Sequence, residues 1–229
     1  MSLTSRYNNF QQFAIMQHKL KKRNTYIKVM DIVDQDNKSI NIFKFEVIEQ
    51  NLAYLYIQKD DVVLELGGRY GSVSCVINHK LTNKKNHVVV EPDKRVWNAL
   101  KRNKKENDCY FNIVKGFISN KKLSLINLDD WYGGYGATSI EDNQSDIPSY
   151  TLNEIKQKYN LQFNVLVADC EGFLEVFLDE NPELYDEIRM CIFEADKTEY
   201  CNYDKIRDIF REKGFNEILG GHQNVWIKD

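Results

Sequence analysis

Residues 62–71 read Val62-Val63-Leu64-Glu65-Leu66-Gly67-Gly68-Arg69-Tyr70-Gly71. A short apolar run ends at an acid, and glycines follow at once. Such a run bounded by glycine reads as a strand buried on both faces. Gly67, Gly68 and Gly71 form G-G-x-x-G, with Tyr70 inside it, a loop that lets a ligand approach bare backbone at the strand tip. Working outward, strand-like and helical stretches alternate. Val62–Leu66 precedes a helix at about residues 71–82, and His87–Glu91 precedes a helix from Asp93 to about Asn107. Tyr110–Val114 is followed by a short strand, Lys122–Leu125, and a long polar loop. A helix near 151–159 leads to strand Asn164–Ala168 and a helix from about Gly172; strand Met190–Glu194 then precedes a helix at about 203–213. This order predicts an α/β, Rossmann-like fold with a mostly parallel sheet and helices on both faces. Phe215–Leu219 and Asn224–Ile227 have no helix between them, only a connection containing Gly220-Gly221. The sheet should therefore close with a C-terminal antiparallel hairpin.

The rest of the composition narrows the class. The chain has 229 residues, 42% hydrophobic and 28% charged, enough for one sizeable core. Its net charge is −3 and its pI about 5.9, which lowers the expectation of a nucleic-acid partner. Five scattered cysteines without a CxxC pair read as reduced thiols, not a disulfide framework or zinc site. No segment approaches the roughly 18 apolar residues of a membrane span, and no signal-peptide pattern opens the chain. A cytoplasmic protein with no membrane partner is expected. Residues 1–24 carry Phe10, Phe13, Ala14 and Leu20 near one helical face and end in Lys19, Lys21, Lys22 and Arg23. They form a helix packed on the main domain or an arm for a homo-oligomer. Residues 25–33 and 40–45 flank the turn-like Asp34–Asn37 and predict a hairpin. The expected division is an N-terminal helical arm and hairpin, 1–45, and one catalytic domain, 46–229.

Glu91 ends the second strand about twenty residues after the glycine loop, where an acid can accept the two ribose hydroxyls of an adenosine. The alternative is that Glu91-Pro92-Asp93 only starts a helix, with Asp93 as its cap. Two cofactor classes fit an adenosine site. A dinucleotide would set a pyrophosphate near Glu65, a like-charge contact that is costly in a poorly hydrated cleft. S-adenosylmethionine has no phosphate and carries an ammonium and a sulfonium that Glu65 can favour, while loop N–H groups take its carboxylate. Glu65 therefore favours S-adenosylmethionine.

These stretches resemble the FkbM family of class I S-adenosylmethionine-dependent methyltransferases. ELGGRYG resembles the first cofactor motif, where the family more often has Asp at the position of Glu65. VVVEPDKRVWNALKRN resembles the strand–EP–helix–LxxN block at Glu91, Pro92, Leu100 and Asn103. TLNEI and VLVADCEGFLEVFL resemble later segments at Thr151, Leu152, Asp169, Glu171 and Gly172, with Asn153 where the family has Asp, and EKGF at Glu212–Phe215 also fits. The resemblance spans residues 45–228. It implies a seven-strand sheet and methylation of a hydroxyl, commonly on a sugar or another natural product. The Asn- and Lys-rich composition also resembles proteins of large DNA viruses, in which related domains modify glycans in the host cytoplasm.

Asp169-Cys170-Glu171-Gly172 follows a buried-type strand, where open α/β sheets hold ligands. Asp169 and Glu171 are candidate catalytic carboxylates, and Asp169 also a cofactor contact; the plain alternative is a helix cap and first turn. Glu194 is a third catalytic candidate. Asp169, Glu194 and Asp196 on adjoining strand tips are the oxygen set that could hold Mg²⁺. Gly116 and Phe117 follow the third strand and are expected at the adenine edge. Trp131, Tyr132 and Tyr135 lie in DDWYGGYGATS and either stack on a sugar face or plug the core. His222, beside the final turn, is a candidate substrate contact. A nicotinamide-dependent oxidoreductase and a non-catalytic binding module are the rival readings.

Overall fold

The computed structural model describes residues 21–128 and 136–228. A seven-stranded sheet runs in the order β10-β11-β9-β8-β1-β2-β3. Its members are β1 (Val63–Leu66), β2 (His87–Glu91), β3 (Asn112–Lys115), β8 (Val165–Ala168), β9 (Met190–Glu194), β10 (Phe215–Leu219) and β11 (Gln223–Lys228). β1, β2, β3, β8 and β9 are parallel to one another. β11 inserts antiparallel between β9 and β10, so the expected fold class and terminal hairpin are both observed. Gly221, at φ 122°, supplies the backbone freedom that this turn requires.

The two faces of the sheet bury separate clusters. Leu64, Leu66, Val88, Val90 and Leu166 pack with Ile155, Phe177 and Phe210 on one side. These come from α4 (Leu152–Tyr159), α5 (Leu174–Glu180) and α7 (Tyr203–Glu212). Val63, Val89, Val165 and Ile192 pack with Ala53, Cys75, Val76 and Leu100 on the other, from α1 (Val47–Tyr56), α2 (Ser72–Lys80) and α3 (Trp97–Glu106). α6 (Leu184–Glu187) is a short turn of helix before β9. The alternation places Glu65 on the second face, among apolar neighbours. All five cysteines are free. Among the described residues no helix is long and apolar enough to cross a membrane.

Two local expectations are corrected. Residues 21–27 are helical, and the hairpin expected at 25–33 and 40–45 shrinks to one bridge, Val33 with Ser39. The backbone there is taken by amide side chains of α3 instead. Asn103 accepts from Val33 N (3.1 Å) and donates to Val33 O (2.8 Å); Asn107 does the same for Asp31. The long polar loop also contains strands. β5 (Leu123–Ile126) pairs antiparallel with β6 (Thr138–Glu141), and β4 (Phe117–Ile118) pairs parallel with β7 (Ser149–Tyr150). β5 answers to the short strand expected at Lys122–Leu125, whereas β4, β6 and β7, of two to four residues each, carry too little apolar alternation to show in the sequence.

Candidate functional site

A cleft of about 750 Å³, counted to its open mouth, lies at the carboxyl ends of β1, β2 and β8. The glycine loop forms its floor. Gly67 has φ 87°, and a Cβ built on it would stand 1.7 Å from the carbonyl oxygen of Asp169. A Cβ on Gly68 would meet Val89 at 2.3 Å. The loop thus lies against both neighbouring strands, and no side chain fills the floor. Gly67 and Gly68 both donate to Val90 O, which ties the loop to β2.

Glu91 stands at one end of the cleft. One carboxylate oxygen accepts from Arg69 N at 2.6 Å and the other from Asp93 N at 2.7 Å. Each oxygen keeps a lone pair for another donor. Burial pushes this carboxyl up to about 7, against the pull of those two N–H groups and of the Arg69 guanidinium. Asp93 does not cap the following helix, which begins at Trp97. Its carboxylate binds Arg69 Nη1 (3.0 Å) and the backbone and side chain of Arg95; burial works to raise it, but the contacts with Arg95 and then Arg69 together outweigh that and hold it below the usual range. Phe117, Ile118 and Phe173 make the apolar wall, and Leu125, Ala137 and Ser139 bring the β5–β6 hairpin to the mouth.

The other end is acidic. The turn after β8 is no helix cap: Glu171 has φ 51°, Gly172 has φ 87°, and α5 starts only at Leu174. The turn is tied to β6 by the Thr138 hydroxyl donating to Glu171 O. Burial, followed by the charges of Glu194 and Asp196, raises Asp169 well above the usual carboxylate range. Glu171 is pushed up to about 8, by burial and then by Asp196, with which it shares a hydrogen bond. Asp196 is raised as well, by burial. Two carboxyls that hydrogen-bond each other must hold a proton between them.

A smaller cavity adjoins the first and shares Glu46, Leu66, Gly67 and Asp169 with it. Glu49, Glu65, Glu194 and Gln223 also line it. Glu46 precedes α1 in left-handed conformation (φ 49°) and accepts a hydrogen bond from the Ser72 hydroxyl at the start of α2.

No family model and no curated protein matches this chain. Solved structures do. A precorrin-6y C5,15-methyltransferase from Geobacter metallireducens shares 12% identity over 80% of this chain and 87% of its own, with a TM-score of 0.49. A methyltransferase from Pyrococcus furiosus shares 15% identity over 93% of this chain and 97% of its own, with a TM-score of 0.49. An O-methyltransferase from Bacillus cereus in complex with SAH shares 12% over 94% and 91%, with a TM-score of 0.44.

The cleft gathers Gly67, Glu91, Phe117, Asp169 and Glu171 from the sequence-predicted set, while Gly68 lines the adjoining cavity. Others are placed differently. Glu65 is almost fully buried and its carboxylate is bonded to Nε2 of the buried His87 at 2.9 Å. It reaches the smaller cavity, not the cleft that holds Glu91. Tyr70 turns into the core, its hydroxyl bonded to Gln35. Gly71 caps α2. Gly116 packs its backbone on Pro148, where a Cβ would stand 2.1 Å from the carbonyl oxygen. Glu194 and His222 form a pair at 2.5 Å, and Glu194 is pushed up to about 7, burial being the main cause.

The expected metal set is corrected too. Among the described residues Asp169, Glu171 and Asp196 are the three whose ligand atoms lie within 4.8 Å of one another, while Glu194 is paired with His222. Trp131, Tyr132 and Tyr135 lie outside the described residues. Sequence reading missed Glu46, Arg69, Asp93 and His87. Arg69, within the glycine motif, and Asp93, read only as a helix cap, carried some signal; Glu46 and His87 depend on contacts between distant segments.

Proposed function

We propose that the cleft binds S-adenosylmethionine and that the protein methylates a hydroxyl group, with a sugar the favoured acceptor class. One observation carries this reading. The bare floor at Gly67 is faced by Asp169 and Glu46, while Glu91 at the far end keeps acceptor capacity for a ribose. A pyrophosphate on that floor would meet these acids at close range, and a sulfonium or ammonium would be attracted by them. The fit to the group is good: Gly67 presents bare backbone to the cleft, and the apolar wall of Phe117 and Ile118 suits an adenine.

When bound, S-adenosylmethionine supplies an electrophilic methyl group attached to a positively charged sulfur. The chain's own residues do the rest. Glu91 holds the ribose through its two free lone pairs. Asp169, raised by burial and its acidic neighbours, ionises beside Gly67 as the ligand's positive charge enters. The Glu171–Asp196 pair already shares one proton; its ionised member accepts the acceptor's hydroxyl proton as the methyl group is transferred, which leaves the pair neutral. A carboxyl pushed up to about 8 is a better proton acceptor than an ordinary one near 4. Several carboxylates at the mouth also suit a polyol, whose hydroxyls all donate.

Calorimetry with S-adenosylhomocysteine and with NAD tests the cofactor. Binding of the first and not the second is expected; the reverse selects the oxidoreductase reading. Isotope transfer from S-adenosylmethionine to a panel of oligosaccharides, with and without Mg²⁺, tests the acceptor. Tight cofactor binding with no transfer to any hydroxyl would leave the binding-module reading in its place.

A further inference from the structure

Glu46 lies outside the sheet and outside every motif of the cofactor loop, yet it stands at the junction of the two cavities, facing Gly67 and Asp169. Its position is fixed from behind. Gln50, fully buried, donates to the carbonyls of Ile42 (3.1 Å) and Phe45 (2.9 Å), and Gln50 N donates to Glu46 O (2.9 Å). The segment therefore holds Glu46 at φ 49°, a conformation that non-glycine residues adopt only when their surroundings impose it. Its carboxylate meets Ser72 at the first turn of α2.

Resting on the S-adenosylmethionine reading above, we infer that Glu46 is a specificity residue that recognises the ammonium of the ligand's methionine end. The segment before α1 thus takes part in cofactor selection. The charges around Glu46 leave that role open. Glu49, Glu65, Glu194 and Asp169 face it from α1, β1, β9 and the turn after β8, and Arg69 is the cation that opposes them. Burial and these acids push Glu46 up to about 8. A ligand cation placed in this corner would relieve repulsion that the protein alone leaves standing. Glu46 also explains how the site manages although Glu65 is taken by His87.

The test compares two ligands that differ only at the methionine end. S-adenosylhomocysteine carries the ammonium; 5′-methylthioadenosine lacks the amino-acid portion. Glu46→Gln should weaken S-adenosylhomocysteine about tenfold or more, the loss of one charge-assisted contact, and leave methylthioadenosine within about twofold. Equal loss for both ligands, no loss, or tighter binding of S-adenosylhomocysteine would overturn the assignment. Tighter binding would mean that Glu46 occupies the seat of the ligand's carboxylate. A wild-type protein that takes up neither ligand overturns the cofactor reading itself, and this inference with it. If the variant does not fold, the wild-type protein can be titrated with S-adenosylhomocysteine and its deaminated analogue, and equal affinity then rejects the role.

Discussion

Cofactor binding should expel protons from this site, and the number follows from two carboxyls. Glu91 is pushed up to about 7 and Glu46 to about 8 by burial. At pH 7 the first is about half protonated and the second about nine-tenths protonated, by the ordinary titration relation. In the complex Glu91 gains two ribose donors, which favour its ionised form, and Glu46 gains an ammonium, which does the same. Both groups then ionise, and binding releases about one to two protons at pH 7. The sign is definite: the bound state holds fewer protons, so affinity rises with pH near neutrality. Calorimetric titration with S-adenosylhomocysteine in buffers of differing ionisation enthalpy measures the count directly. Glu91→Gln should remove about half a proton and Glu46→Gln about 0.9. Zero release at pH 7, or net uptake, would refute the reasoning, because it would mean that neither carboxyl faces the ligand's donors or charge.

Three further outcomes follow from the same geometry. Gly67→Ala should abolish cofactor binding and cost about 2–4 kcal/mol of stability, since a methyl group 1.7 Å from the Asp169 carbonyl oxygen must push β1 and β8 apart at φ 87°; a chemical melt with wild-type midpoint would contradict this. Asn103→Ala should cost about 2–4 kcal/mol, because Val33 N, Val33 O and Tyr70 O lose their partner together; urea denaturation reads it, and a loss under about 0.5 kcal/mol would show that the N-terminal segment docks by other means. Free-protein stability should fall as pH rises from about 5 to about 8. Glu46, Glu91, Glu171 and Glu194 have folded values of about 8, 7, 8 and 7, above an unfolded value near 4.3. That stability is therefore full below the unfolded value and is lost as pH passes the folded ones. Thermal melts at pH 5.5 and 8.5 check it, and a higher midpoint at pH 8.5 would count against the buried acid cluster.

What could be read from the sequence, and what could not, divides by the range of the interaction. Val62–Leu66, His87–Glu91 and Val165–Ala168 declare themselves as buried parallel strands because each carries an unbroken apolar run, VVL, VVV and VLVA. Gly220-Gly221 declares the terminal hairpin for an equally local reason. Glu91 was legible as well, since its distance from the glycine loop is set by one strand–helix–strand unit. Glu65 shows where this kind of reading stops. Its position at the strand end is local information, but its partner is His87, 22 residues away on β2, with the ring buried beside Phe111. Strand alternation alone assigns Glu65 to the helix-covered face; only the register of β1 against β2 puts an imidazole within reach of it. The acid that remains to meet a cation then comes from residue 46, through a segment pinned by Asn103 and Gln50. Asn103 satisfies backbone groups 70 residues away and Gln50 those of the turn just before its own helix, and no periodicity records either. On the proposed reading an acid still stands near the methyl donor, carried by residue 46 in place of Glu65. This is expected wherever function depends on charge at a place and several elements converge there.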